Sequence, residues 1–128
     1  MFRITIPGTV RIKKNSRRIV KAGKFKKIIP SKAYLEWESY ARSFLTDQLS
    51  NVEWSEENPL PIGEPISVKA ICYYKGQKCD LSGALESVGD CFEGILWKND
   101  KQIVSWDGSR LIHDLQNPRL ILEMNIQE

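Results

Sequence analysis

The sequence of 128 residues has few of the residues that build disulfide networks or structural metal sites. It holds three cysteines (Cys72, Cys79 and Cys91), no Cys-x-x-Cys pair and a single histidine, His113. This inventory excludes a disulfide framework and a structural zinc site. Unpaired cysteines are typical of proteins kept in a reducing compartment, and we therefore expect a cytoplasmic location.

Long apolar runs are also missing. No stretch approaches the roughly 20 apolar residues that a membrane-spanning helix needs. The opening eight residues, Met-Phe-Arg-Ile-Thr-Ile-Pro-Gly, are too polar and their apolar run is too short for a secretory signal peptide. We therefore expect a soluble protein that has no membrane partner.

Acidic residues are absent from the first 35 positions, which carry eleven basic side chains, whereas residues 36–128 hold eight basic and sixteen acidic ones. A segregated basic segment is typical of a phosphate-binding surface, and less often of an anionic membrane surface or an adaptor for proteins. The sequence lacks a basic amphipathic helix, which argues against the membrane alternative. The candidate nucleic-acid contacts are Lys13, Lys14, Asn15, Arg17, Arg18, Lys24, Lys26 and Lys27, together with Lys78 and Arg110 from later in the chain.

Residue periodicity predicts six elements in the order β-α-β-α-β-β. Strands are predicted over residues 2–6, 65–74, 102–106 and 119–126, and helices over 31–49 and 80–96, the second burying Leu81, Leu85, Val88, Phe92 and Ile95. Residues 11–32 are predicted to form a basic loop or arm. We therefore expect a single α+β domain over residues 1–128, with two helices packed on a mixed or antiparallel sheet. The tryptophans are expected in the core or a dimer interface rather than stacked on bases: Trp37, Trp54, Trp97 and Trp106.

Four acidic residues cluster in and just after the second predicted helix. Glu86 and Asp90 are four positions apart, about 40° around a helix, and therefore share one face. Asp80 begins the helix and Asp100 lies in the turn that follows it. Carboxylates that lie close together repel one another unless a cation joins them, and Mg²⁺ prefers such oxygen ligands. Each acid also has an alternative structural role, as a helix cap, a turn residue or a solvated side chain.

At these positions the sequence resembles the RusA-type Holliday junction resolvases, which are magnesium-dependent endonucleases of phages and prophages. The family's Asp-Leu-Asp-Asn helix start corresponds to Asp80-Leu81-Ser82-Gly83, its further helical aspartate to Asp90, and its Asp-Asp-x-Gln-Ile/Val segment to Asn99-Asp100-Lys101-Gln102-Ile103. The opening strand with Ile6-Pro7-Gly8, followed by Lys14-Asn15-Ser16-Arg17, is also similar to the family pattern. Ser82 and Gly83 replace the usual Asp and Asn, and Glu86 stands where some members have a lysine, as in a variant branch of the family.

The resemblance implies a RusA-like fold and a homodimeric endodeoxyribonuclease that resolves four-way junctions in recombination and repair. It implies the catalytic carboxylates Asp80, Glu86, Asp90 and Asp100, and Mg²⁺, or Mn²⁺ as a substitute, held by Asp80, Glu86, Asp100 and Asp107. It also implies a phosphate contact by Arg110. The departures at Ser82 and Gly83 leave an alternative, a non-catalytic nucleic-acid-binding protein with a decayed nuclease site.

Overall fold

A mixed five-stranded sheet carries the core of the protein. The computed structural model describes residues 1–13, 18–22, 25–29, 31–50 and 59–127. Within these ranges the strands are Phe2–Pro7 (β1), Arg18–Ala22 (β2), Phe25–Ile29 (β3), Ile66–Tyr74 (β4), Ile103–Ser105 (β5), Arg110–His113 (β6) and Arg119–Ile126 (β7). The helices are Lys32–Leu49 (α1) and Leu81–Cys91 (α2), and a 3₁₀ turn spans Asp100–Gln102.

Strand β4 is the centre of the sheet. It pairs antiparallel with β7, which in turn pairs antiparallel with the edge strand β1. On its other side β4 pairs in parallel with β5 near Ile66 and with β6 from Ile71 to Tyr74. Parallel neighbours need a crossover connection, and α2 lies in the connection that leads from β4 to β5. The expected α+β class with a mixed sheet and two helices is therefore confirmed.

One face of the sheet forms the hydrophobic core. Burial alternates along β1, β4 and β7, as expected for strands whose side chains point to opposite faces. The buried members of β4 and β7 are Ile66, Val68, Ala70, Cys72, Leu120, Leu122 and Met124. Since the alternate residues stay partly exposed, this is the pattern of a sheet with one face covered.

Helix α1 follows the prediction closely. The Ser31 side chain accepts a hydrogen bond from the backbone N–H of Tyr34 (3.2 Å), which satisfies a free amide of the first turn. The buried side chains recur at helical spacing and face the core: Tyr34, Trp37, Ala41 and Leu45. No helix in the described ranges combines the length and the apolar character that crossing a membrane requires.

Helix α2 is shorter than predicted and buries a different side. It ends at Cys91 instead of near residue 96, because Gly94 turns the chain with a φ of 87° and the backbone N–H of Leu96 bonds back to Phe92. The buried residues of the helix are mostly small: Ala84, Ser87, Val88, Gly89 and Cys91. The prediction of a buried Leu81 is wrong, since this first helical residue is 38% exposed, and Leu85 is only partly buried.

The basic segment contains regular structure that the sequence did not predict. Residues 11–32 were expected to form a loop or arm, but β2 and β3 pair there as an antiparallel hairpin, with Arg18 opposite Ile29 and Ala22 opposite Phe25. Both strands contain β-branched residues, whose strand preference is masked in the sequence by the surrounding lysines. Strand β6 was also missed, and β5 is shorter than its predicted 102–106.

Candidate active site

A cavity of about 320 Å³ lies between α2 and the segment of residues 100–106. Its polar lining residues are Ser82, Glu86 and Asp100. Its apolar lining residues are Leu85, Ile103 and Trp106, and the backbone of Gly89 completes the helical side. The cavity therefore places two carboxyl groups from separate parts of the chain next to an apolar surface.

The helical period explains which residues of α2 reach the cavity. Ser82, Glu86 and Gly89 are four and three positions apart, which brings them onto one face of the helix. A β-carbon built on Gly89 would lie 3.7 Å from the β-carbon of Asp100, so the helix and the turn approach closely at this position. Position 89 therefore has room for a methyl group, whereas a larger side chain would meet Asp100, Ile103 and Trp106.

The 3₁₀ turn that carries Asp100 is held by several hydrogen bonds. Asn99 and Gln102 form a capping box, in which the Asn99 side chain accepts from the Lys101 N–H (2.9 Å) and the Asn99 N–H donates to Gln102 Oε1 (2.7 Å). The Gln102 amide also donates to the carbonyls of Ile62 and Glu64. None of these bonds uses the Asp100 carboxylate, which remains exposed at the cavity.

Trp97 connects the turn to α2. Its indole is fully buried, and Nε1 donates to the carbonyl of Gly89 (2.9 Å). Its ring also meets Phe92 edge-on, at a centroid distance of 6.2 Å. The backbone N–H of Asp100 donates to the Glu93 carboxylate (3.0 Å), which adds a second link between the turn and the end of α2. These contacts determine the position of Asp100 relative to Glu86.

Lys13 enters the site from the start of the basic segment. Its Nζ lies 3.5 Å from Asp90 Oδ2 and 5.8 Å from the centroid of the Tyr34 ring. Its backbone N–H donates to the Oγ of buried Ser87 (3.0 Å). Lys13 is therefore attached to α2 by backbone and side chain, and it supplies positive charge beside the acids.

The pKa of Asp90 is raised above its ordinary value. Burial is the main cause, the negative charges of Asp100 and Glu86 add to it, and the Lys13 ammonium opposes it. The charges of Asp100 and Glu86 thus act on Asp90, so the three carboxyl groups are near one another. Asp90 therefore keeps its proton to a higher pH than an ordinary aspartate does.

We expect the Lys13→Gln substitution to raise the pKa of Asp90 further, because it removes the charge that favours the carboxylate. A proton held more tightly in the folded state stabilises the fold at low pH, and this contribution is lost as the pH rises through the Asp90 titration. As the pH rises through the Asp90 titration, the free energy of unfolding should therefore fall by more in Lys13→Gln than in the wild type. NMR titration of the Asp90 carboxyl carbon and urea unfolding across the same pH range would measure both effects.

The matched control for this prediction is Lys32→Gln, which removes a lysine whose partner is Glu36 on the exposed side of α1. It should leave the Asp90 titration unchanged. An Asp90 pKa that stays the same or falls in Lys13→Gln would contradict the assignment of Lys13 as the opposing charge.

The structure brings some of the predicted acids together and leaves others apart. Glu86 and Asp100 line the cavity, and Asp90 is coupled to both. Asp80 is the exposed N-cap residue of α2, makes no side-chain capping bond and does not line the cavity. Asp107 lines a separate groove of about 290 Å³ with Lys69 and Glu123. The predicted metal-binding roles of Asp80 and Asp107 stay predictions.

The cavity offers two carboxyl groups, which are the kind of oxygen ligand that Mg²⁺ prefers. Within the described parts of the chain, no group of three or more His, Cys, Asp or Glu residues is arranged to hold a metal ion. Mg²⁺ needs fewer protein ligands, because it is commonly held by one or two carboxylates together with water and substrate phosphates. Glu86 and Asp100 supply two such carboxyl groups at one cavity, and Mg²⁺ binding between them stays a prediction.

The candidate nucleic-acid contacts are only partly described. Lys13 contacts the acidic site, and Lys78 and Arg110 are exposed, in the turn after β4 and at the start of β6. Arg18, Lys26 and Lys27 belong to β2 and β3, for which only the strand pairing is described. Lys14, Asn15, Arg17 and Lys24 lie outside the described residues.

Trp106 is a pocket residue that sequence reasoning missed. Trp37 and Trp97 are buried in the core as expected, and Trp54 lies outside the described residues. Trp106 is only partly buried and lines the cavity beside Asp100. Its place at the end of the predicted strand 102–106, directly before the Asp107-Gly108 turn signal, was the available indication, since binding residues are often found where a loop leaves a rigid element.

The described residues define an α+β protein whose carboxylate-lined cavity stands beside the start of a basic segment, as expected of a nuclease. The chain matches the family model of Endodeoxyribonuclease RusA over residues 7–125, and it belongs to this family. The match includes the basic segment, α2 and the Asp100 turn. Membership implies an endonuclease that acts on branched DNA junctions. A search of the curated proteins finds no match for this chain.

Proposed function

We propose that the protein is a magnesium-dependent endonuclease that resolves four-way DNA junctions in recombination and repair. The observation that supports this most is the meeting of Glu86 and Asp100 at one cavity, in a chain of the RusA family. When bound, Mg²⁺ supplies charge neutralisation at a phosphate and lowers the pKa of water, so that water becomes a nucleophile near neutral pH.

The side chains of the protein would bind the ion, accept a proton and bind the DNA. Glu86 and Asp100 would hold the ion, and Asp90, one helical turn beyond Glu86 and with a pKa raised by burial, would accept a proton from the attacking water. The basic segment that begins at Lys13 binds the phosphates of the DNA, which offsets the repulsion between a polyanion and an acidic cavity. The exposed Lys78 and Arg110 would supply further phosphate contacts.

A homodimer follows from the proposed reaction. Symmetric resolution of a junction requires two cuts in strands of like polarity, and a two-fold dimer presents two equivalent sites to a substrate with two-fold symmetry. We therefore propose a dimer in the cytoplasm of a bacterium that carries the gene on its chromosome or on a phage.

One observation favours the alternative of a non-catalytic DNA-binding protein. Ser82 lines the cavity at the position where the family pattern has its second aspartate, so the cavity has one carboxylate fewer than that pattern supplies. In that case the protein would bind junctions through its basic segment without cutting them.

One experiment separates the two functions. A synthetic four-way junction, labelled on one strand at a time, is incubated with the protein in Mg²⁺, in Mn²⁺ and in EDTA, and the products are resolved on a denaturing gel. We expect paired nicks with either metal, no product in EDTA, and little cutting of a linear duplex of the same sequence. Salt-sensitive binding without product in either metal would refute the nuclease and support the alternative.

A further inference from the structure

The apolar side of the cavity has no role in holding a metal ion or a phosphate. Leu85, Ile103 and Trp106 line the same space as the two carboxylates. Phosphate oxygens gain nothing from an apolar surface, since they lose water there without a hydrogen-bond partner. This side of the cavity therefore suits a different part of the nucleic acid.

Trp106 is held so that part of its ring faces the cavity. It follows β5 directly, and its carbonyl accepts a hydrogen bond from the Ser109 N–H (3.1 Å) across a turn in which Gly108 has a φ of 85°. On the opposite side, a β-carbon on Gly89 would lie 3.9 Å from Cζ2 of the Trp106 ring. One edge of the ring therefore lies within contact distance of position 89, and the ring also borders the cavity.

The charge of the cavity selects an uncharged, planar occupant. None of its lining residues is basic, and Glu86 and Asp100 would repel a second phosphate. A volume of about 320 Å³ is within the range of small-molecule sites, and aromatic rings bind nucleobases of any sequence by stacking. A base inside a duplex is stacked on its neighbours and cannot enter such a pocket, so the occupant must be unstacked.

We propose that the apolar side of this cavity binds one unstacked nucleobase of the strand to be cut, with Trp106 as its stacking surface. The inference rests on the proposed function, because it places this base next to the phosphate that the acidic side of the cavity handles. It gives the protein a means of selecting branched DNA, where bases unstack at low cost, over intact duplex.

The test is a binding cycle between protein and DNA in EDTA, which does not depend on cleavage. The affinity of the wild type and of Trp106→Leu is measured for an intact junction and for junctions with a single abasic site, moved one nucleotide at a time through the branch. The wild type should bind about tenfold more weakly when the abasic site is at one particular nucleotide. Trp106→Leu should bind the intact junction about tenfold more weakly than the wild type does, and the abasic site at that nucleotide should weaken its binding no further.

Two further variants guard against a simple effect on folding. Trp106→Phe keeps a stacking ring and should retain most of the affinity. Val104→Ala shortens an exposed side chain (61%) of β5, two residues before Trp106 and outside the cavity, and should bind as the wild type does. The proposal would be overturned if the loss of affinity from the abasic site and the loss from Trp106→Leu simply added at every nucleotide, because the base and the ring would then not contact each other.

Gly89→Ala tests the pocket from the opposite side. The added methyl group enters the cavity at ordinary contact distances of 3.7–3.9 Å, and alanine is the better helix former, so the thermal midpoint should rise. The affinity for the intact junction should nevertheless fall to the level of the abasic junction. An unchanged affinity would count against the base pocket.

The proposed nuclease is tested separately. Failure to cut any junction would refute it, whereas the binding measurements in EDTA would still show whether a base binds beside Trp106.

Discussion

The Asp100→Asn variant should lose roughly a thousandfold in junction cleavage while it binds the junction as tightly as the wild type, since metal-ion catalysis supplies several kcal/mol of transition-state stabilisation. Asparagine has nearly the same shape, but its neutral amide is a poor ligand for Mg²⁺. The hydrogen bonds that hold the turn use the Asp100 backbone and the side chains of Asn99 and Gln102, so they survive the substitution. Single-turnover cleavage and binding in EDTA would measure the two quantities.

The control for Asp100→Asn is Glu36→Gln, which neutralises an exposed acid of α1 outside the cavity and should cut normally. Glu86→Gln should follow Asp100→Asn, because the two carboxylates line the same cavity. Normal cleavage by both cavity variants would place the metal-binding acids elsewhere in the chain.

The Trp97→Ala variant should lose about 3–5 kcal/mol of unfolding free energy, the usual cost of deleting a large buried aromatic side chain. Trp97 is fully buried, contacts Phe92 edge-on and donates its indole N–H to the Gly89 carbonyl. A loss of this size is a large part of the roughly 5–15 kcal/mol that stabilises a typical domain. Urea unfolding followed by circular dichroism would measure the change.

Trp97→Phe is the matched variant, since it keeps an aromatic ring in the core and removes the indole hydrogen bond. It should cost less than Trp97→Ala, and it should also slow junction cleavage without weakening junction binding, because the link between α2 and the Asp100 turn is lost. A loss below about 1 kcal/mol in Trp97→Ala would contradict the central packing role of this residue.

Elements with a strong local pattern were predicted well. Helix α1 begins after its Ser31 cap and ends at Leu49, and β7 occupies residues 119–126, as expected from apolar residues at helical and at alternating spacing. Both patterns arise from residues that are close in sequence and face one core, so that the period alone identifies the buried side.

Elements whose boundaries depend on distant contacts were predicted less well. The end of α2 is set by Gly94 and by the packing of Trp97 beneath the helix, and its small residues are buried because the helix packs closely on the core. The short strand β6 exists because it pairs with β4, nearly 40 residues earlier in the chain. Local propensity carries no information about such pairing.

The sequence by itself determined the basic opening segment, the shared helical face of Glu86 and Asp90, and the turn that contains Asp100, because each depends on neighbouring residues. Only the tertiary structure decided which acids meet. It placed Asp100 opposite Glu86 and Asp107 in another groove, attached Lys13 to Asp90, and set Trp106 beside the carboxylates. These outcomes depend on the packing of α2 against β5 and the segments around it, and packing between distant parts of a chain leaves no periodic signal in the sequence.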